Sequence, residues 1–308
     1  MKKRHAYLIM AHHNVELVQE ILHLIDDERN DIFLHIDAKS LHQHQWDCLH
    51  TQKSRIYRTP SISVNWGGYS QVNATLLLME TAYKQGNYSY YHFMTGASCP
   101  LKSQDDIHAF FDQHENTCFV ACEKEPELYY DRVQYLHIFN EYSLHHRDIK
   151  SLSWIENSKR RFDVFFRKVQ KKFQYDHFKQ FHLIHKKGLA YWSLPHNSIE
   201  YILSQKKNIK KIFRYAYPAD ESFVQTILFN SPFKDSLYNL KDEISENLII
   251  TTWPLENGGS PREYHAFTMD DWQYIHQPNK FFGLKFVGDT GLALIQRLKE
   301  EQETKKES

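Results

Sequence analysis

The segment PADESFVQTILFN places two adjacent carboxylates, Asp220 and Glu221, directly before an apolar-periodic stretch. Unpaired backbone N–H groups at a helix start favour acidic side chains, so the pattern by itself describes a helix N-terminus with Asp220 as its cap. A second acidic group, Glu123, Glu125 and Glu127, follows an expected strand. A solvated acidic loop accounts for it; holding a divalent ion through Glu123 and Glu125 is the rival reading. No GxGxxG or GxxxxGK[ST] occurs to cradle phosphate. Nor is there an Asp-x-Asp, the carboxylate pair that holds a divalent ion on a diphosphate as negative charge grows on the leaving group. Phosphate chemistry on this chain would need a substitute cation. Cys118 and Cys122 lack the ligand spacing of a zinc site.

These residues sit within a regular alternation. Residues 5–11 (HAYLIMA) read as a strand, VELVQEILHLI as the helix after it, 32–36 (IFLHI) as a second strand ending at Asp37, and 55–58 (RIYR) as a weaker third. A Gly67-Gly68 turn precedes an amphipathic pattern from Gln71 to Tyr83, and Tyr90 to Met94 gives another strand. Such alternation implies βαβ units and an α/β fold with a mostly parallel sheet, whose ligands bind at the carboxyl ends of the strands. Further on come a strand at 189–194 (LAYWSL), a helix from Asn197 and a helix from Asp220. Between them, residues 147–187 are rich in Lys, Arg and aromatics, with Phe162, Phe165, Phe166, Val169 and Phe173 at helical spacing. A helix packing its apolar side on the core under a solvated basic face explains this. Peripheral contact of 154–173 with an anionic membrane or a lipid-linked acceptor is the second reading.

The composition limits the rest. In 308 residues, hydrophobic content is 41%, charged content 25%, mean hydropathy -0.63 and formal net charge +0. These values describe a soluble globular chain and remove the electrostatic footprint of a general nucleic-acid binder. Four cysteines without a CxxC pair suit free thiols in the cytoplasm. The domain reading is one unit over 1–300, divided into halves at 1–122 and 123–300, with 301–308 as a fraying helix end.

The order of AYLIMAHHN, LHIDAKS, VNWGGYSQVNATL, TGASCPLKS, KGLAYWSL, PADESFVQTIL, TTWPLENGGSPRE and FFGLKF resembles the Core-2/I-branching β-1,6-N-acetylglucosaminyltransferase and peptide xylosyltransferase family. The resemblance spans roughly residues 5 to 300 and implies a GT-A-like fold with a nucleotide-binding half followed by an acceptor and catalytic half. It implies a metal-independent, inverting glycosyltransferase with no cofactor, using a UDP-sugar as co-substrate and a glycan or lipid-linked saccharide as acceptor. N-acetylglucosamine is the first expectation for the donor sugar and xylose the second. Carried over residue by residue, Glu221 matches the general base, and Arg262 and Lys285 match the cations on the diphosphate. Met10, Ala11 and His12 match the uridine-contacting segment, and Asp37 the nucleoside partner, although a cap for a helix over 40–50 fits Asp37 equally. Trp66 matches an aromatic near the nucleotide, with a core tryptophan as its other reading. Arg132 and Trp253 fall on the acceptor side. Two departures stand out: Ser98 replaces a usual acidic residue, and the positions after Trp253 do not follow the mucin-type enzymes. The anchor, stem and disulfides of eukaryotic relatives have no counterpart, so the implied setting is a bacterial cytoplasm, with room for peripheral contact at the inner face of the plasma membrane. A metal-dependent transferase and a non-catalytic carbohydrate-binding protein on the same fold are the rival functions.

Overall fold

The structure, a computed structural model, describes residues 3–40, 43–124, 126–142, 152–251 and 265–307. In chain order the elements are β1 His5–Ala11, α1 Val15–Ile25, β2 Asn30–Ile36, β3 Arg55–Arg58, α2 Tyr69–Gln85, β4 Tyr90–Thr95, β5 Ser98–Pro100, α3 Gln104–Gln113 and β6 Phe119–Val120. There follow α4 Asp131–Gln134, α5 Trp154–Lys172, β7 Trp192–Pro195, α6 His196–Ser204, α7 Lys206–Phe213, α8 Phe223–Phe229, β8 Ile249–Thr251, α9 Trp272–Ile275, β9 Phe282–Leu284 and α10 Gly288–Glu307.

A six-stranded sheet runs β3-β2-β1-β4-β7-β6. β1 pairs in parallel with both β2 and β4, β3 continues the parallel set, and β7 enters antiparallel to both β4 and β6. Both faces are covered, so β1 and β2 read as continuous apolar runs, as parallel strands buried on two sides do. Successive side chains alternate between the layers. Tyr7, Ile9, Ile32 and Leu34 join the core formed with α1, α3 and α10, whereas Ala6, Leu8 and Phe33 join the one formed with α2, α6, α7 and α8. The expected α/β architecture with a mostly parallel central sheet is therefore present. β7, from the second half of the chain, lies between β4 and β6 of the first.

The parallel register brings the carboxyl ends of three strands to one edge: Ala11 pairs with Ile36, and Met10 with Thr95. A smaller sheet, β5-β9-β8, reaches the same edge, because Ser98 pairs with Leu284 and the Phe286 N–H donates to the Ala97 carbonyl at 2.9 Å. Lys285 is thereby carried to the mouth of β4 from almost two hundred residues away in sequence.

Several local expectations change. Asp220 and Glu221 do not open a helix; they lie in a turn, with Ser222 as the N-cap of α8. The turn is held by tertiary contacts, which outweigh the weak preference of carboxylates for helix starts. Residues 43–48 form a 3-10 turn rather than a helix, and the Asp37 Oδ1 accepts from the Lys39 N–H at 2.8 Å, so Asp37 closes its own loop instead of capping a helix over 40–50. The tail expected to fray is helical through Glu307, and His276 Nε2 lies 2.8 Å from Glu301 Oε2. The helix α5 also departs from the expected packing: its buried residues are Asp163 and Gln170, Phe166 and Val169 are half-buried, and Phe162, Phe165 and Phe173 are exposed.

Candidate active site

A cavity of about 1290 Å³ opens at the carboxyl edge of the parallel strands. His12, His13, Asp37, Lys39, Trp66 and Asp289 are among the residues lining it. His12, His13, Asp37 and Lys39 are delivered by the turns after β1 and β2, Trp66 by the loop after β3, and Asp289 by the first turn of α10. The Asp37 N–H donates to the Ala11 carbonyl at 3.0 Å and the Gly96 N–H to the Met10 carbonyl at 2.9 Å, while the Ser40 hydroxyl donates to the His12 carbonyl at 2.9 Å. The turns after β1, β2 and β4 are thus laced into one rim. Lys39 Nζ reaches the Val64 carbonyl at 2.5 Å and Asn65 Oδ1 at 2.7 Å, which brings the Trp66 loop to this rim.

Trp66 is 48% exposed beside the cavity, so it is not a core tryptophan. Asp37 is nearly buried, and its charge acts on His12. Desolvation first and then the neighbouring His13 lower the His12 pKa. Desolvation followed by the charge of Lys285 lowers that of His13. Lys285 is exposed; it does not line the cavity itself but lies between Leu284, which pairs with Ser98, and Phe286, which bonds to Ala97, just past the end of β4.

Glu221 is held by a separate set of contacts. Arg132 Nη1, from α4, donates to Glu221 Oε2 at 2.6 Å, and Lys187 Nζ lies 3.8 Å from the same oxygen. Lys187 also makes a close ion pair with Glu123. Both cations lie against the Tyr129 ring, each 4.5 Å from its centroid. The backbone is equally constrained. The Gly188 N–H donates to the Glu221 carbonyl at 3.0 Å, and a Cβ on Gly188 would sit 1.8 Å from the Ala121 carbonyl oxygen, so only glycine allows this approach. Asp220 is pushed up to about 7 by burial and then by the charge of Glu221. Among the described residues its enclosed Oδ1 has no hydrogen-bond partner.

Glu221 does not itself line the cavity. The Trp66-Gly67 turn joins the two places: Trp66 meets Tyr217 edge-on with centroids 6.0 Å apart, the Ala219 N–H donates to the Gly67 carbonyl at 3.3 Å, and the Tyr217 N–H donates to the Arg132 carbonyl at 3.0 Å. Gly67 has φ +73, and a Cβ there would lie 2.6 Å from the Tyr217 ring. One short loop therefore borders the cavity on one side and the Glu221 turn on the other.

Residues 5–276 match the Core-2/I-Branching enzyme family. The chain belongs to that family. Its members are glycosyltransferases, which agrees with the α/β fold and with the expected nucleotide-sugar donor and glycan acceptor. No curated protein sequence matches the chain. Among solved structures, mouse xyloside xylosyltransferase 1 in its apo form is similar at 9% identity, covering 73% of this chain and 81% of that one with a TM-score of 0.33. The crystal structure of S. aureus TarS 1-349 is similar at 13% identity and a TM-score of 0.26, covering 38% of this chain. The match spans 34% of that TarS structure. Likenesses this distant carry no weight in assigning the site.

Of the residues singled out in this family member's sequence, the structure gathers His12, Asp37 and Trp66 at the rim, with Met10 and Ala11 supplying its backbone and Lys285 carried by β9 to the nearby end of β4. Arg132, expected on the acceptor side, is projected by the α4 turn onto the Glu221 carboxylate. Arg262, Trp253 and Glu125 lie outside the described residues. Among the described residues, no group of three or more His, Cys, Asp or Glu side chains is arranged to hold a metal ion. Again among them, no helix is long and apolar enough to cross a membrane. Sequence reasoning missed Lys187, Tyr129 and His13. The first opens KGLAYWSL, where a charged residue just before a buried strand was a usable signal, since Lys is rarely buried unless paired.

Proposed function

We propose that the chain transfers a sugar from a UDP-sugar to a hydroxyl of a glycan or lipid-linked saccharide in one inverting step that needs no divalent metal. The observation that carries this reading is the clamped carboxylate: Arg132 and Lys187 converge on Glu221 Oε2, and among the described residues Oε1 takes no hydrogen bond. A carboxylate so placed can accept the proton of an incoming hydroxyl. The acceptor oxygen then bonds to the anomeric carbon while the bond from that carbon to the β-phosphate oxygen breaks, and its electron pair departs on UDP. An α-linked donor gives a β-linked product.

The uridine belongs at the rim formed by Met10, Ala11, His12, Asp37 and Trp66, with Lys285 and Arg262 on the diphosphate. Fixed cations there stabilise charge that develops only as the bond breaks, each contributing on the order of 3 kcal/mol to lowering the barrier. N-acetylglucosamine is the favoured donor and xylose the next. A cytoplasmic setting suits the four free cysteines, of which three are buried. The test is UDP release from UDP-N-acetylglucosamine and UDP-xylose with EDTA present. Turnover that survives chelation supports the proposal. Activity abolished by EDTA and restored by manganese refutes the metal-free step, and UDP binding with no turnover of any donor indicates a binding protein on the same fold.

A further inference from the structure

The helix α5 is amphipathic, yet it packs with its polar side inward. Gln170 is buried, accepting from the Leu136 N–H at 2.8 Å and donating to the Leu136 carbonyl at 3.1 Å. Asp163, also buried, lies 3.2 Å from Arg167 Nε and 4.0 Å from His137 Nδ1. At about 100° per residue, these two positions lie roughly 160–180° around the helix from Trp154. The opposite sector carries Trp154 at 82% exposure and Phe165 at 62%, about 20° apart, with Phe162 at 49% on its flank about 80° from Trp154. Arg161 and Lys168, both exposed, border it about 20–40° from Trp154. A globular helix ordinarily buries its apolar stripe; here the reverse arrangement leaves large rings next to cations on the outer surface. The helix as a whole holds seven Lys and Arg against two acids, although the chain is neutral overall.

We propose that this outward face of α5 lies on an anionic phospholipid surface, with Trp154 and Phe165 entering the headgroup boundary and Arg161 and Lys168 on the lipid phosphates. The argument is charge complementarity joined to ring chemistry. Aromatic side chains favour the boundary between headgroups and acyl chains, and a helix with cations beside an apolar face binds there in the plane of the surface. Neither the Glu221 chemistry nor the identity of the donor enters the argument, so the two proposals can fail separately.

The test is co-sedimentation of the full chain with vesicles of phosphatidylcholine alone and of phosphatidylcholine mixed with phosphatidylglycerol, at low and high salt. The protein is expected to partition onto the mixed vesicles, weakly onto the neutral ones, and to be released by salt. Each cation near an anionic surface contributes about fivefold, so the Arg161→Gln/Lys168→Gln pair is expected to bind the mixed vesicles about twenty-five-fold more weakly. Trp154→Ser/Phe165→Ser is expected to weaken binding to both vesicle types. Unchanged UDP binding and melting temperature in these variants separate surface attachment from folding and from the active site. Absence of binding to mixed vesicles at low salt overturns the proposal, as does equal binding by wild type and both variants. A dimer in sedimentation equilibrium that both variants abolish would assign the face to a second copy of the chain and also overturn it.

Discussion

Replacing Glu221 by Gln tests the reading of the clamped carboxylate most directly, because the change is isosteric and the surroundings specify its cost. A general base contributes roughly 10²–10⁴-fold to a rate. Glutamine cannot take the proton, so kcat is expected to fall about a thousandfold, equivalent to about 4 kcal/mol of barrier. The stability cost is smaller. Arg132 loses a charged acceptor 2.6 Å away, but both side chains are about a quarter exposed and the Gln carbonyl still accepts. Lys187 keeps its pairing with Glu123. A hydrogen bond to a charged group contributes about 1.5–3 kcal/mol, and retaining a neutral one should confine the loss to about 1–2 kcal/mol. Glu221 is not among the cavity-lining residues, so UDP affinity should hold within about twofold, the scale of coupling between separated sites. Calorimetric UDP titration, UDP-release kinetics and thermal melting on one preparation measure all three. Turnover within tenfold of wild type would refute the general-base role. Parallel collapse of UDP binding and melting temperature would show that the residue holds the turn together instead.

Two pH dependences of opposite sign follow from buried groups. Asp220 has its folded pKa raised to about 7 from 3.8 by burial and by Glu221, so the folded state keeps a proton that the unfolded state releases. Stability from this group therefore falls as pH rises between about 4 and 7, by up to about 1.4 kcal/mol per pH unit, and Asp220→Asn should melt higher than wild type at pH 8 but not at pH 4. Identical melting at both pH values would refute this. His5, His92 and His108 form a buried cluster, with His5 stacked on His108 at 3.9 Å and hydrogen-bonded to His92 at 3.0 Å. Burial lowers all three pKa values from 6.5, that of His108 to about 4. Here the unfolded state takes up protons first, so stability is lost as pH falls below 6.5, by up to about 1.4 kcal/mol per unit for each histidine. Urea midpoints should drop between pH 7 and pH 5, and His108→Gln should flatten the slope; an unaltered slope would exclude His108 as a contributor.

What could be read from the chain alone was whatever repeats over short distances. The apolar runs at 5–11 and 32–36 became β1 and β2 because a strand buried on both faces leaves a continuous hydrophobic signature. The order of motifs was legible for a related reason, since AYLIMAHHN and LHIDAKS run from β1 and β2 into the turns after them, where an α/β sheet presents its ligand-binding residues. The helix α5 shows where this stops. Its periodicity revealed an amphipathic helix but not which side faces inward, because that depends on Leu136 and His137 accepting Gln170 and Asp163 as neighbours. The clamp on Glu221 is likewise invisible locally. Arg132 and Glu221 are 89 positions apart, and Lys187 comes from a third segment, so no spacing rule connects them. Lys285 reaches the end of β4 only because β9 pairs with β5 beside it. Local periodicity encodes which residues avoid water; pairing of distant charges depends on how the strands and loops stack, and that was settled in three dimensions.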